Sequence, residues 1–201
     1  MLFFLISYSI LGAGLKYIDD AFDEKTFNKY IAYMLVPVLS ILGAFAMIID
    51  PASATVLLAI IAGVLMKGKI DNYAFIIGFI TVLAIVILVG IEFMILPLIL
   101  LSAAAMLDEV GNDFIDKRKD KLNQKKITHK FITYFFGHRW IMKTAILYLA
   151  IIGIIPIALF FAMIMFDYSY LGINWYSRYV KNQTTPALLR SAVYKFGYLF
   201  K

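Results

Sequence analysis

Nine of the chain's 13 acidic residues lie in two short segments. The first holds Asp19, Asp20, Asp23 and Glu24; the second holds Asp108, Glu109, Asp113, Asp116 and Asp120. Lys16, Asp19, Asp20 and Asp23 follow i, i+3, i+4, i+7 spacing, which puts them on one face of a helix. Glu109, Asn112, Asp113, Asp116 and Asp120 repeat that spacing and extend it to i+11. Like charges at i,i+4 oppose helix formation by a few tenths of a kcal/mol per pair, roughly. Carboxylates at a helix C-terminus also oppose the macrodipole. Folding alone does not ask for this pattern twice.

A hard cation supplies a reason. Mg²⁺ takes oxygen ligands and is held by one or two carboxylates together with substrate phosphates. Two acidic helix ends facing each other would hold such ions around a diphosphate. Asp19, Asp20, Asp23, Asn112, Asp113, Asp116 and Asp120 are the candidate ligands. Lys16, Lys69, Lys117, Arg118 and Lys119, with Lys125 and Lys126, are candidates to neutralise the remaining phosphate charge. Glu109 and Asp71 are candidates to line the cavity, although Asp71-Asn72 reads first as a turn. The bland alternative is a pair of solvated loops with mixed charges.

The elements that must carry these residues are membrane helices. The chain of 201 residues is 63% hydrophobic and 16% charged, with a mean hydropathy of +0.86. Soluble domains run at roughly 45–50% apolar and about 25% charged. Continuous apolar blocks exclude a β-barrel, whose strands alternate. They predict an all-α transmembrane bundle of about six helices, over 2–16, 30–49, 52–66, 73–89, 93–107 and 141–166. The first is short, and lacks the basic n-region and cleavage site of a secretory signal. Residues 167–201 are expected to form a basic, Tyr-rich tail, with an amphipathic interfacial helix from Pro186. If 141–166 crosses once, this tail lies outside; Gly153 and Pro156 leave a second possibility, a re-entrant hairpin that returns it to the cytoplasm.

The net charge is +6. In a membrane protein this excess marks cytoplasmic loops, not nucleic acid binding. The basic loops at 16–29, 67–72 and 108–140 alternate with the Asp50 and Gly90 turns, which carry no Lys or Arg. Both acidic segments are therefore expected on the cytoplasmic side. The absence of Cys excludes disulfides and thiolate chemistry. KYIDDAFDEK and MLDEVGNDFIDK read as diverged copies of one unit, an apolar helix with an aspartate-rich end.

On these residues the chain resembles the UbiA superfamily of intramembrane prenyltransferases. The family signature N-D-x-x-D-x-x-x-D is matched at every position from Asn112 through Asp113 and Asp116 to Asp120. The first segment is a looser match, with Asp19 at the Asn position and Phe27 at that of the last Asp. The family carries two such motifs separated by four helices, as here. It carries the full signature in its first half and has more helices in a longer chain. The resemblance implies Mg²⁺ as cofactor and catalytic roles for Asp20, Asp23, Asp113 and Asp116. It further implies prenyl transfer from a prenyl diphosphate to a lipid or quinone-type acceptor. Aromatic faces suited to a carbocation are Tyr17, Phe22 and Phe114. A cation transporter and a non-catalytic scaffold are the competing classes. Arg139 is expected at the membrane surface, against a lipid headgroup or a phosphate.

Overall fold

A computed structural model describes the backbone of residues 1–66, 72–118 and 127–199, with the side chains of these except 116 and 183–199. All regular structure among them is helical: α1 (Leu2–Phe22), α2 (Lys29–Ile49), α3 (Pro51–Met66), α4 (Tyr73–Val89), α5 (Ile95–Asp116), α6 (Ile127–Gly137), α7 (Trp140–Ile151) and α8 (Ile157–Leu199). Four stretches are long and apolar enough to cross a membrane: Leu2–Phe22, Lys29–Ile49, Ile95–Ile115 and Ile157–Asn182. The apolar helices α3, α4 and α7 are shorter.

Local chemistry sets the boundaries. Asn28 caps α2 by accepting from Tyr30 N at 2.8 Å, and Asn72 caps α4 by accepting from Phe75 N at 2.9 Å. Asp50 caps α3, accepting from Ser53 N at 3.0 Å, with Pro51 at the first helical position. Gly90, at φ 69°, ends α4 in the left-handed conformation that glycine adopts freely. The start of α5 has no side-chain cap of its own; Thr55 of α3 accepts from Met94 N at 2.9 Å.

Cross-helix contacts fix the directions. Gly12 meets Phe166 and Lys16 lies over Tyr170, so α1 and α8 run parallel. Lys143 pairs with Asp167 and Arg139 lies over Tyr170, so α7 and α8 run antiparallel. Gly63 packs on Ala105 and Thr55 meets Met94, so α3 and α5 run parallel. The C-terminal ends of α1 and α5 and the N-terminal ends of α4 and α7 meet around one cavity, described below.

Two expectations are corrected. Residues 141–166 are not one span. The chain breaks between Ile151 and Ile157, where Gly153 takes φ 76° and Pro156 has no N–H to offer a preceding carbonyl. The result is a helical hairpin, with α7 and α8 antiparallel. Nor do residues from 167 onward form a separate tail, because α8 continues through them. The two acidic segments are continuations of apolar helices: α1 runs past residue 16 to Phe22, and α5 past 107 to Asp116.

Candidate functional site

The acidic end of α1 is ordered by its own lysine. Lys16 Nζ lies 2.7 Å from Asp19 Oδ2 and 2.9 Å from Asp20 Oδ1. The helical spacing predicted from sequence makes both contacts possible on one face. Asp20 is buried, and its Oδ2 has no hydrogen-bond partner. Asp23 is exposed at the end of α1.

The acidic end of α5 divides by role. Asp108 accepts from Ile141 N at 3.0 Å and Met142 N at 2.7 Å, which makes it the N-cap of α7 from a different helix. Glu109 is buried and holds Arg139, with 2.9 Å between Oε1 and a guanidinium nitrogen. Asn112 and Asp113 are half-buried, and Phe114 carries Arg118 over its ring at 4.1 Å.

Arg139 begins α7 with φ 50° and ψ 50°, a left-handed conformation costly for a non-glycine residue. Its guanidinium sits 5.1 Å from the Tyr170 ring centroid, and Lys16 Nζ sits 5.2 Å from the same centroid. Tyr170 thus joins the cationic groups of α1 and α7. Beside it, buried Lys143 pairs with buried Asp167 at 2.5 Å.

These groups cap a cavity of about 440 Å³. Its walls are apolar, built from α1 to α4 and including Leu11, Leu39, Met47, Leu57, Phe79 and Val82. Polar lining comes chiefly from one end: Asp19, Asp23, Asn72, Glu109, Arg139 and Tyr170. Both acidic helix ends therefore reach one chamber, α1 through Asp19 and Asp23, α5 through Glu109. Asp20 and Asp113 are not among its lining residues. The Asp116 side chain, Lys69, Asp71, Lys119 and Asp120 lie outside the described residues, as do Lys125 and Lys126. Lys117 and Arg118 are exposed.

As a metal centre, the described residues offer little by themselves. Asp19 and Asp20 already face Lys16, and Glu109 faces Arg139. Among the described residues no three of His, Cys, Asp and Glu gather in a way that could hold a metal ion. Asp23 and Asp113 also have interactions of their own, and Asp120 lies outside the described residues.

Sequence reasoning missed Tyr170 and the Lys143–Asp167 pair. A lone lysine in the apolar run after Trp140 was the available signal, since a charge at that depth requires a partner. Arg139, expected at the membrane surface, lines the cavity. Fold and site together define a helical membrane protein with an apolar chamber capped by charge. Comparison with protein-family models, curated proteins and solved structures finds no match to this chain.

Proposed function

We propose that this chain is an integral membrane, prenyltransferase-like protein that takes a prenyl diphosphate into the capped cavity. The isoprenoid tail lies along the apolar walls, and the diphosphate meets the charged end. The observation that carries the reading is one chamber with largely apolar walls, which both acidic helix ends and Arg139 line at one end. An amphipathic ligand with a compact charged head matches that division of surface.

The charged end is richer in acid than in base: Asp19, Asp23 and Glu109 line it against Arg139, with Lys16 just behind. A bare diphosphate is repelled by such an end, so the reading requires a divalent cation to accompany it. The residues that would hold Mg²⁺ are Asp23, Asn112, Asp113, Asp116 and Asp120, and the chemistry it supplies when bound is stabilisation of the leaving diphosphate. The chain's own part is to orient the tail and exclude water. The allylic C–O bond breaks with its electron pair leaving on diphosphate. A carbon of a lipid or quinone-type acceptor then bonds to the allylic cation and loses a proton. On this reading the acidic end faces the cytoplasm, as the Lys and Arg of its loops support.

The test uses purified protein in phosphatidylcholine nanodiscs with labelled farnesyl diphosphate. Binding is expected with Mg²⁺ and not with EDTA, and Asp23→Asn and Asp116→Asn should each abolish it. Equal binding by wild type and both variants overturns the reading. A second reading, a non-catalytic scaffold or a cation transporter, is favoured by one observation: Asp19, Asp20 and Glu109 are already matched by the protein's own cations. Binding without transfer of the prenyl group to any acceptor, and so without release of diphosphate, would select the scaffold. Mg²⁺ flux into sealed vesicles, blocked by Asp23→Asn, would select the transporter.

A further inference from the structure

We infer that Glu109 is a built-in stand-in for the ligand's phosphate, occupying Arg139 until a phosphate-headed amphiphile displaces it. The inference rests on the reading that the cavity takes such a ligand, and goes further by naming the group that reads its head. Glu109 and Arg139 both line the charged end of the cavity and lie 2.9 Å apart. Glu109 is 5% exposed, whereas the Arg139 side chain remains 28% exposed. Arg139 thus keeps some exposed surface where it lines the chamber, while one guanidinium nitrogen is held by a buried carboxylate.

A carboxylate and a phosphate oxygen make the same charge-assisted contact with a guanidinium. The other features of the site hold Arg139 where exchange of one for the other is possible. Its left-handed backbone fixes the start of the side chain. The guanidinium carbon lies over the Tyr170 ring, 5.1 Å from its centroid, a cation–π contact that a change of anion need not disturb. Asp108 anchors the two amides that follow, Ile141 N and Met142 N, so the arginine cannot drift along α7. When a phosphate arrives, Arg139 need only exchange one anion for the other, and Glu109 is released toward the ligand, where a cation accompanying the phosphate would meet it.

The consequence is counter-intuitive: neutralising an acidic residue of the site should strengthen binding of a metal-free anion. The probe is dodecyl phosphate, with dodecanol as the uncharged control, titrated calorimetrically in EDTA against protein in phosphatidylcholine nanodiscs. Glu109→Gln should bind dodecyl phosphate about tenfold more tightly than wild type, the scale of one charge-assisted hydrogen bond no longer contested. Glu109→Asp, which keeps the charge, should show no gain. Arg139→Gln placed on Glu109→Gln should erase the gain, and dodecanol should bind all four proteins alike. Equal or weaker binding of dodecyl phosphate by Glu109→Gln overturns the inference, as does a gain that survives loss of Arg139.

A measurement on the unaltered protein covers the case in which Glu109→Gln does not fold. The Arg139 Nε–H resonance, assigned by its loss in Arg139→Lys, should shift on saturation with dodecyl phosphate. A resonance that stays put while the ligand binds overturns the inference. Farnesyl diphosphate with Mg²⁺ tests the prenyl diphosphate reading separately. Its failure to bind leaves the dodecyl phosphate comparison intact.

Discussion

Gly12 of α1 lies directly against the backbone of Phe166 in α8: a Cβ added at Gly12 would stand 2.1 Å from the Phe166 carbonyl oxygen. The obstacle is backbone, not a side-chain tip that can swing away. Alanine is ordinarily the better helix former by about 1 kcal/mol. Here Gly12→Ala should nevertheless destabilise the protein by about 1–3 kcal/mol, because the two helices must separate. Gly172, also in α8, has nothing within 4 Å of such a Cβ, so Gly172→Ala should be neutral or slightly stabilising. Thermal unfolding in detergent compares the two, and a harmless Gly12→Ala contradicts the close crossing.

Lys143 and Asp167 form an ion pair with side chains only 5% and 8% exposed. Lys143→Met leaves Asp167 buried without its cation and should cost about 3–5 kcal/mol. Lys143→Met combined with Asp167→Leu removes both charges and should recover most of that loss. Urea unfolding of the four proteins in a double-mutant cycle measures the coupling; additive losses would show that the pair does not act as a unit.

Asp108 sits in α5 but caps α7, so its loss should be felt at a distance in sequence. Asp108→Ala should cost about 0.5–2 kcal/mol, the usual range for an N-cap. Asp108→Asn, which keeps one acceptor oxygen, should fall between. Hydrogen exchange localises the effect: the Ile141 and Met142 amides should exchange faster in Asp108→Ala, whereas those in the middle of α2 should not.

Glu24 and Lys181 tie the turn after α1 to α8, beside a Thr26–Ser177 hydrogen bond of 2.9 Å and a Phe27–Tyr176 ring stack. The hydrogen bond from Lys181, and then its charge, hold the Glu24 carboxyl below its ordinary value of 4.5. A lowered carboxylate pKa contributes stability above the unfolded value and loses it as pH falls through the folded one. The tie should therefore be intact at neutral pH and weaken only below pH 4.5. Both side chains are about half exposed, at 48% and 57%, so the effect is small and screened by salt. The chain has no cysteine, so labels placed by Lys25→Cys and Arg178→Cys report the distance cleanly. Its distribution should broaden on acidification, and Glu24→Gln should remove the pH step.

Apolar runs long enough to span are visible in the sequence because lipid demands continuity, and α2, α3 and α4 begin and end within two residues of where the runs do. Helical spacing also placed Lys16 against Asp19 and Asp20. Other features were hidden because they depend on a partner far along the chain. Asp108 looks like one more member of an acidic face, yet its carboxylate serves the amides of residues 141 and 142. Tyr170 carries no local signal, since only the docking of α1 and α7 on α8 brings two cations to its ring. The break after Ile151 was readable as Gly153 and Pro156. Whether it made a bend or a reversal was decided by the Lys143–Asp167 contact, which sequence spacing cannot show.

That reversal has a consequence for how the chain enters its membrane. Helix α7 has 12 residues and so rises about 18 Å, well short of the roughly 30 Å of hydrocarbon. Taken alone it is too short to cross, whereas the start of α8, which packs against it, belongs to a stretch long enough to do so. Two residues keep that hairpin closed. With Gly153 and Pro156 both replaced by leucine, the segment could straighten into a single stop-transfer helix. The stretch that bears Tyr170 would then be carried away from Lys16 and Arg139, and the chamber would lose the ring that joins its two cations.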